Sequence, residues 1–161
     1  MKRLLIIRHA KSSWDLAHRD IDRALEERGK TDAQLVALEC RAHLPKTYVI
    51  HSSIGKRAYE TALIFTHQFG YPPEHIIINE ALYTFDLTTL ESIVKALPDN
   101  EDNVILFGHN EAITNFVNKF GSVFIDNVPT SGFVSMQFST NRWQSISKGR
   151  TIKTIFPKDL K

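Results

Sequence analysis

Arginine and histidine side chains stand directly after short apolar runs in this sequence. Arg8 and His9 follow one run of four apolar residues, and His109 lies just beyond another. Arg57 occupies the first turn of a predicted helix that follows a third run. An arginine fork binds phosphate through paired N–H groups, and an imidazole can attack phosphorus and carry the phosphoryl group transiently. The residue types therefore predict phosphoryl transfer, with positive side chains rather than a metal ion on the phosphoryl oxygens.

These residues form one site only if the elements that carry them are neighbours. Short apolar runs alternate with segments of helical period along the chain, which predicts an α/β fold. Strands are predicted at Leu4–Ile7, Tyr48–His51, Ile76–Ile78, Val104–Phe107, Phe133–Phe138 and Thr151–Phe156. Helices are predicted over Thr31–His43 and on the apolar stripes Ala58–Phe69, Leu90–Leu97 and Ala112–Phe120. Thr88 and Glu91 match a capping box in front of the third helix.

The predicted architecture is a three-layer α/β/α sandwich with a mainly parallel sheet. The first and fourth strands are apolar throughout, as expected of strands that helices cover on both faces. In open α/β sheets the ligand crevice lies beyond the carboxyl ends of the strands. The polar residues that follow the strands are therefore expected at one pocket, within a single domain spanning residues 1–161.

Composition excludes several function classes. Twenty basic and eighteen acidic side chains leave a net charge of +2, too even for a protein that binds nucleic acid by neutralising phosphates. The basic end of the chain, Lys148–Lys161, is predicted to be a sheet edge. The longest clean apolar runs are four residues, whereas a membrane helix needs about 20. One cysteine, Cys40, suits a reducing compartment, so we expect a cytoplasmic protein without a leader or membrane segment.

The segment Arg8-His9-Ala10-Lys11-Ser12-Ser13-Trp14 resembles the opening signature of the histidine phosphatase superfamily, and in particular of the SixA-type phosphohistidine phosphatases. The resemblance continues along nearly the whole chain. Further similar segments are Asp22–Gly29, Ser52–Ala62, Leu82-Tyr83, Gly108–Asn110, Pro129–Gly132, Trp143 and Phe156–Lys158. It implies a phosphoglycerate-mutase-like fold and a phosphatase activity without cofactor or metal.

The resemblance also implies roles for individual residues. His9 would be the nucleophile, and Arg8, Arg57 and His109 would bind the phosphoryl oxygens. Ser12 either donates to phosphate or serves only the turn after the first strand.

Two interpretations remain for other residues in the loop after the first strand. Arg23 either approaches the phosphate or braces this loop. Trp14 either walls the pocket or packs in the core. Residues Asp15 to Asp22 form an acidic stretch that could hold a divalent ion, but without a ligand spacing typical of a metal site a solvated loop is favoured.

The sequence shows no clear general acid for the leaving group. Glu80 and Asp86 are the nearby candidate proton donors, although each is equally explained as a hydrogen-bonding residue of a strand end or loop. Glu111 stands where the wider family often has proline, and it adds a negative charge beside the anion site.

We therefore expect a phosphatase that hydrolyses phosphohistidine through a phosphohistidine enzyme intermediate. Its partner would be a protein that bears phosphohistidine or a small phosphorylated substrate. We expect it to bind neither nucleic acid nor a membrane. A general phosphomonoesterase using the same site is the alternative enzyme. A non-catalytic module that binds phosphate or a phosphoprotein through the same arginines is the alternative of another class.

Overall fold

The computed structural model describes residues 1–15 and 18–161, and in these ranges a six-stranded sheet carries helices on both faces. The strands are β1 (Lys2–Arg8), β2 (Val49–Ser53), β3 (Ile77–Asn79), β4 (Asn103–Gly108), β5 (Phe133–Phe138) and β6 (Arg150–Ile155). The helices are α1 (Glu27–Cys40), α2 (Lys56–Phe69), α3 (Leu87–Lys95) and α4 (Ala112–Phe120).

The sheet order is β3-β2-β4-β1-β5-β6. Strands β1 to β4 run parallel to one another, whereas β5 pairs antiparallel with β1 and with β6. The prediction of a mainly parallel sheet is confirmed. The carboxyl ends of β1, β2 and β4 consequently lie side by side at one edge of the sheet.

Successive residues of the central strands feed two separate cores. Leu4 and Ile6 of β1 face α3 and α4, whereas Leu5 and Ile7 face α1 and α2. All four side chains are fully buried. Two-sided burial explains why these strands are apolar without alternation, and it confirms the predicted three-layer sandwich.

Helix α1 begins at Glu27 rather than at the predicted Thr31. Gly29, a poor helix former, obscures the first turn in the sequence. The structure explains this glycine, because a Cβ there would lie 2.2 Å from the carbonyl oxygen of Lys11. The absence of a side chain lets α1 pack directly on the loop after β1.

The predicted capping box at Thr88 and Glu91 is wrong. Helix α3 starts one residue before Thr88, and its N-cap is Asp86. The Asp86 carboxylate accepts hydrogen bonds from the backbone N–H and the hydroxyl of Thr89, both at 3.0 Å. Aspartate is as good an N-cap as serine or threonine, and the earlier acceptor sets the start of the helix.

The basic end of the chain forms β6, the edge strand beyond β5, as predicted. Within the described ranges, no helix is both long enough and apolar enough to cross a membrane.

Candidate active site

Backbone hydrogen bonds fix the end of β1, where the first two predicted site residues lie. Arg8 is the last residue of the strand, and the N–H of His9 donates to the carbonyl of Gly108 at the end of β4 over 3.1 Å. The N–H of Ser131 donates to the carbonyls of both Arg8 and His9, each at 3.1 Å. Ser131 adopts the left-handed conformation, with φ 62°, at the turn into β5. The turn before β5 therefore holds the backbone of both residues from the side opposite β4.

A pocket of about 340 Å³ opens at this edge of the sheet. Its described lining combines four basic side chains with one acidic and two aromatic side chains. The lining residues are Arg8, His9, Lys11, Ser12, Trp14, Asp20, Arg23, Arg57, Phe85, Asn110 and Thr130. The excess of positive charge makes the pocket suited to a small anion such as a phosphoryl group.

Hydrogen bonds orient the imidazole of His9. Its Nδ1 lies 2.7 Å from the carbonyl oxygen of Ala10, and Nε of Arg57 donates to its Nε2 over 3.3 Å. A carbonyl only accepts, so Nδ1 carries the proton and Nε2 keeps the lone pair. Burial, together with the charges of Arg57, Arg8 and Arg23, lowers the pKa of His9 to about 3 against the raising effect of the Ala10 carbonyl. His9 is therefore a neutral imidazole at neutral pH, and the lone pair of its Nε2 accepts the hydrogen of Arg57 Nε.

Asp20 binds two of the arginines. Arg57 donates to its carbonyl over 2.7 Å and to its carboxylate over 3.1 Å, and Arg23 donates to the same carboxylate over 3.0 Å. The hydroxyl of Tyr83 also donates to this carboxylate. Partial desolvation acts to raise the pKa of Asp20, but the hydrogen bonds from Tyr83, Arg23 and Arg57 outweigh it and lower the pKa to about 2. Asp20 is therefore an anion that fixes the arginine pair.

His109 lies behind His9, and their ring centroids are 5.4 Å apart. Its Nε2 is 2.8 Å from the hydroxyl of Ser53 at the end of β2, and Tyr83 and Phe85 pack edge-on against the ring. Burial, followed by the neighbouring His9 and Arg57, lowers the pKa of His109 to about 3. Among the described residues its buried Nδ1 has no hydrogen-bond partner, and His109 is not among the residues that line the pocket, so it lies behind His9 in this structure.

Arg8 is held by the loop between α4 and β5. Its Nη1 donates to the carbonyl of Val128 over 2.9 Å, and the N–H of Val128 donates to the hydroxyl of Thr114 over 3.0 Å. Thr114 in turn donates to the side chain of Asn110 over 2.8 Å. Burial and the charge of Arg57 lower the pKa of Arg8, and the carboxylate of Glu111 opposes that shift. Glu111 thus acts on the charge of Arg8, but it is not among the residues that line the pocket.

Among the remaining candidate site residues, those of the loop after β1 lie at the pocket. Ser12 and Arg23 line the pocket, and Nη2 of Arg23 donates to the Ser12 hydroxyl over 2.6 Å. Arg23 also donates to the carbonyl of Ser13 over 2.9 Å, so its guanidinium braces the loop. Trp14 stacks on that guanidinium at 3.5 Å and is 73% exposed, so it walls the pocket rather than packing in the core.

Glu80 and Asp86 do not line the pocket. Glu80 is an exposed residue of a short 3₁₀ turn after β3, and Asp86 caps α3. The structure thus gives Asp86 a local role and brings neither carboxylate to His9.

Sequence reasoning missed Asp20, Tyr83 and Phe85 as parts of the site. In the sequence Asp20 belongs to an acidic stretch, and the described residues of that stretch form no cluster of three metal-ligating side chains. Tyr83 lies in a segment that resembles the family, but the resemblance implies no role for it. An exposed aromatic residue such as Phe85, 49% exposed beside a buried histidine, is a signal only once the fold is known.

The comparisons with known proteins agree with this geometry. A profile of the histidine phosphatase superfamily (branch 1) matches residues 4–95, more than half of the chain. The chain therefore belongs to this superfamily of phosphatases.

One curated protein and several solved structures are similar to this chain. Phosphoserine phosphatase 1 of Hydrogenobacter thermophilus is 46% identical over 67 residues, which span 39% of this chain but only 30% of that relative. A structure from Agrobacterium tumefaciens described as phosphohistidine phosphatase SixA matches with a TM-score of 0.78 and 23% identity, over 96% of this chain and 97% of its own. The protein histidine phosphatase SixA complexed with tungstate matches with a TM-score of 0.79 and 19% identity over 99% of both chains. These matches confirm the predicted phosphoglycerate-mutase-like fold.

Proposed function

We propose that this protein is a metal-independent phosphatase that hydrolyses phosphohistidine through a phosphoryl adduct on His9. The observation that carries the proposal is the orientation of His9. Its Nδ1 is bound to the Ala10 carbonyl, while its unprotonated Nε2 accepts from Arg57 in a pocket that Arg8 and Arg23 also line. Family membership and the SixA-like fold support the same assignment.

The reaction proceeds in two displacements at phosphorus. Nε2 of His9 attacks in line with the leaving nitrogen, so the new P–N bond forms as the bond to the substrate imidazole breaks. The electron pair of the broken bond stays on that nitrogen, which takes a proton. Water then attacks the phosphoryl group on His9, and release of orthophosphate restores the neutral imidazole.

The positive side chains stabilise the equatorial oxygens in both steps. Arg8 and Arg57 supply paired N–H donors, and Nδ1 of His109 is the proposed third donor. A phosphoryl group near Nε2 of His9 would take over the hydrogen of Arg57 Nε that now points to that nitrogen. Binding of the substrate thereby frees the lone pair of the nucleophile.

Transfer to His9 is tested by trapping the intermediate. Enzyme is mixed with radiolabelled phosphohistidine in the presence of a chelator, quenched within milliseconds and divided between acid and alkali. The expected product is an alkali-stable, acid-labile phosphoryl group that is absent from His9→Ala. A phosphoryl group on another residue, or activity that depends on added Mg²⁺ or Zn²⁺, would contradict the proposal.

A general phosphomonoesterase is the second candidate, favoured by the local similarity to a phosphoserine phosphatase. The arginines and His9 would serve it equally well. The two candidates differ in the leaving group, because an alkoxide needs a proton donor in the transition state. The described lining includes one carboxylate, Asp20, and its lowered pKa leaves it ionised at neutral pH.

A further inference from the structure

Asp20 lies in the catalytic pocket on an arginine that a phosphoryl group would also use. Both terminal nitrogens of Arg57 donate to Asp20, Nη1 to its carbonyl over 2.7 Å and Nη2 to its carboxylate over 3.1 Å. The third nitrogen of this guanidinium, Nε, donates to Nε2 of His9. Every nitrogen of Arg57 is thus engaged by the protein itself. The hydrogens that Arg57 gives to Asp20 cannot at the same time bind a phosphoryl oxygen.

Arg23 shows the same pattern. Its Nη1 donates to the Asp20 carboxylate over 3.0 Å, its Nη2 to the Ser12 hydroxyl over 2.6 Å and its Nε to the Ser13 carbonyl over 2.9 Å. Arg8 differs, because its buried Nε has no hydrogen-bond partner among the described residues. Asp20 therefore binds two of the three arginines in the described lining of the pocket.

The carboxylate of Asp20 is placed so that it can exchange with another anion. Its side chain is 45% exposed, whereas Arg57 and Arg23 are buried. Asp20 begins a single 3₁₀ turn, Asp20–Asp22, whose three residues all reach the surface. Water solvates an exposed carboxylate that leaves its ion pair, so little net stability is lost. A phosphoryl group carries up to two negative charges and three acceptor oxygens, and it is therefore the stronger partner for the arginines.

We propose that the Asp20 carboxylate competes with the phosphoryl group for Arg57 and Arg23 and thereby sets the affinity of the pocket for phosphate. The carboxylate leaves the arginines when phosphate binds and returns to them when orthophosphate departs. The inference rests on the proposed function for its role in turnover, in which the competition speeds release of the product. Asp20 is then an affinity-determining residue of the site.

Tyr83 provides a way to weaken the competitor without changing any charge. Its hydroxyl donates to Oδ2 of Asp20, the same oxygen that accepts from Arg57. Loss of this hydrogen bond makes the carboxylate easier to displace. Phosphate should therefore bind more tightly when the hydroxyl is removed, although the net charge of the protein is unaltered.

The test measures the Kd of orthophosphate by isothermal titration calorimetry on the full chain, at pH 7 and fixed ionic strength. The variants are Asp20→Asn and Tyr83→Phe. Asp22→Asn is the matched control, because Asp22 belongs to the same turn, is 46% exposed and pairs with Arg19 outside the lining of the pocket. It removes the same charge from the same segment and leaves the contacts of Arg57 in place.

We expect Asp20→Asn to lower the Kd of orthophosphate on the order of tenfold and Tyr83→Phe to lower it about threefold. Asp22→Asn should stay within about twofold of the wild type. An unchanged or higher Kd in Asp20→Asn would show that Asp20 orients the arginines for phosphate, and it would overturn the proposal. Equal gains in Asp20→Asn and Asp22→Asn, with none in Tyr83→Phe, would assign the effect to net charge and would also overturn it.

Calorimetry needs no turnover, which separates this inference from the proposed function. If the wild type leaves phosphohistidine intact while the Kd values follow the expected order, the proposed function fails and Asp20 remains a competitor for the anion. If phosphohistidine is hydrolysed through His9 but the Kd values do not follow that order, only the competition is wrong. During turnover, orthophosphate should inhibit Asp20→Asn at a concentration about tenfold lower than it inhibits the wild type.

Discussion

Arg57 connects the nucleophile with the anion that organises the site. Its Nε donates to His9, and its two terminal nitrogens donate to Asp20. A lysine keeps the charge but has a single nitrogen, so it cannot satisfy three acceptors in this fixed geometry.

We therefore predict that Arg57→Lys lowers kcat/KM for phosphohistidine by on the order of tenfold or more, with little change in folding. Steady-state kinetics and urea unfolding measure the two quantities. Arg41→Lys, at an exposed position, is the control. A wild-type kcat/KM, or a loss of folded protein that accounts for the lost activity, would refute this role.

The two active-site histidines should also determine how stability varies in weak acid. Burial, the first cause for both, lowers the pKa of His9 and of His109 to about 3, from an ordinary value of 6.5. Between these values the unfolded chain binds a proton at each histidine and the folded protein does not. Stability is therefore complete above about pH 6.5 and falls as the pH drops toward 3, by up to about 1.4 kcal/mol per pH unit for each group.

Urea unfolding at pH 7.0, 5.5 and 4.5 measures this dependence. We predict that the free energy of unfolding declines less steeply in His109→Gln than in the wild type. His67→Gln, at an exposed position on α2, should keep the wild-type slope. Parallel curves for wild type and His109→Gln would mean that His109 is not buried as a neutral group.

At the scale of elements, α1 holds the catalytic loop in place through a contact that leaves no room for a side chain. The backbone of α1 at Gly29 meets the backbone of Lys11, two residues after His9. We predict that Gly29→Ala lowers the free energy of unfolding by about 1–3 kcal/mol and also lowers kcat/KM, because the loop must shift. Gly108→Ala is the control, since its Cβ would meet only side chains at 3.5 Å and beyond. Unchanged stability in Gly29→Ala would show that the contact relaxes without cost.

The cap of α3 distinguishes a structural carboxylate from a catalytic one. Asp86 accepts from the N–H of Thr89 and does not line the pocket. We predict that Asp86→Ala lowers the free energy of unfolding by about 1 kcal/mol and leaves kcat/KM within about twofold. Chemical unfolding and steady-state assays on the same preparation measure both. A tenfold loss of alkyl-ester cleavage without loss of stability would return Asp86 to the candidate proton donors.

The sequence predicted the elements better than the contacts between them. Strand β5 has its predicted bounds, and β1 and β4 extend the predicted runs by one or two residues at each end. An apolar run or stripe indicates a buried strand or helix, and it can be recognised within a single segment of the sequence. The contact between Asp20 and Arg57, by contrast, depends on the path of a loop that has no periodic pattern.

The residues placed by strand ends illustrate the same limit. Arg8, His9 and His109 were located from the sequence because their strands are adjacent and parallel. The contact of Phe85 with His109 follows from the course of the chain after β3, an edge strand of three residues. No local pattern in the sequence specifies that course.

For the whole molecule, the distribution of carboxylates around the cleft determines which phosphoryl bonds can be broken. Departure of an alkoxide needs a proton in the transition state, whereas a departing imidazole is readily protonated near its ordinary pKa of about 6.5. Asp20 is ionised at neutral pH, and Glu80 and Asp86 lie outside the pocket lining. The site is thus rich in anion-binding groups and poor in acids.

We predict that kcat/KM for phosphohistidine exceeds that for phosphoserine by on the order of a hundredfold, since general acid catalysis typically contributes about 10²–10⁴. Both substrates are assayed at pH 7 with chelator, and His9→Ala corrects for spontaneous hydrolysis of the P–N bond. Glu80→Gln and Asp86→Asn should leave the ratio unchanged, because neither side chain lines the cleft. Equal efficiency on the two substrates, with a large loss on phosphoserine in either carboxylate variant, would demonstrate a competent acid that reaches the cleft when substrate binds. The protein would then be a phosphomonoesterase in which α3 or the turn before it moves toward His9.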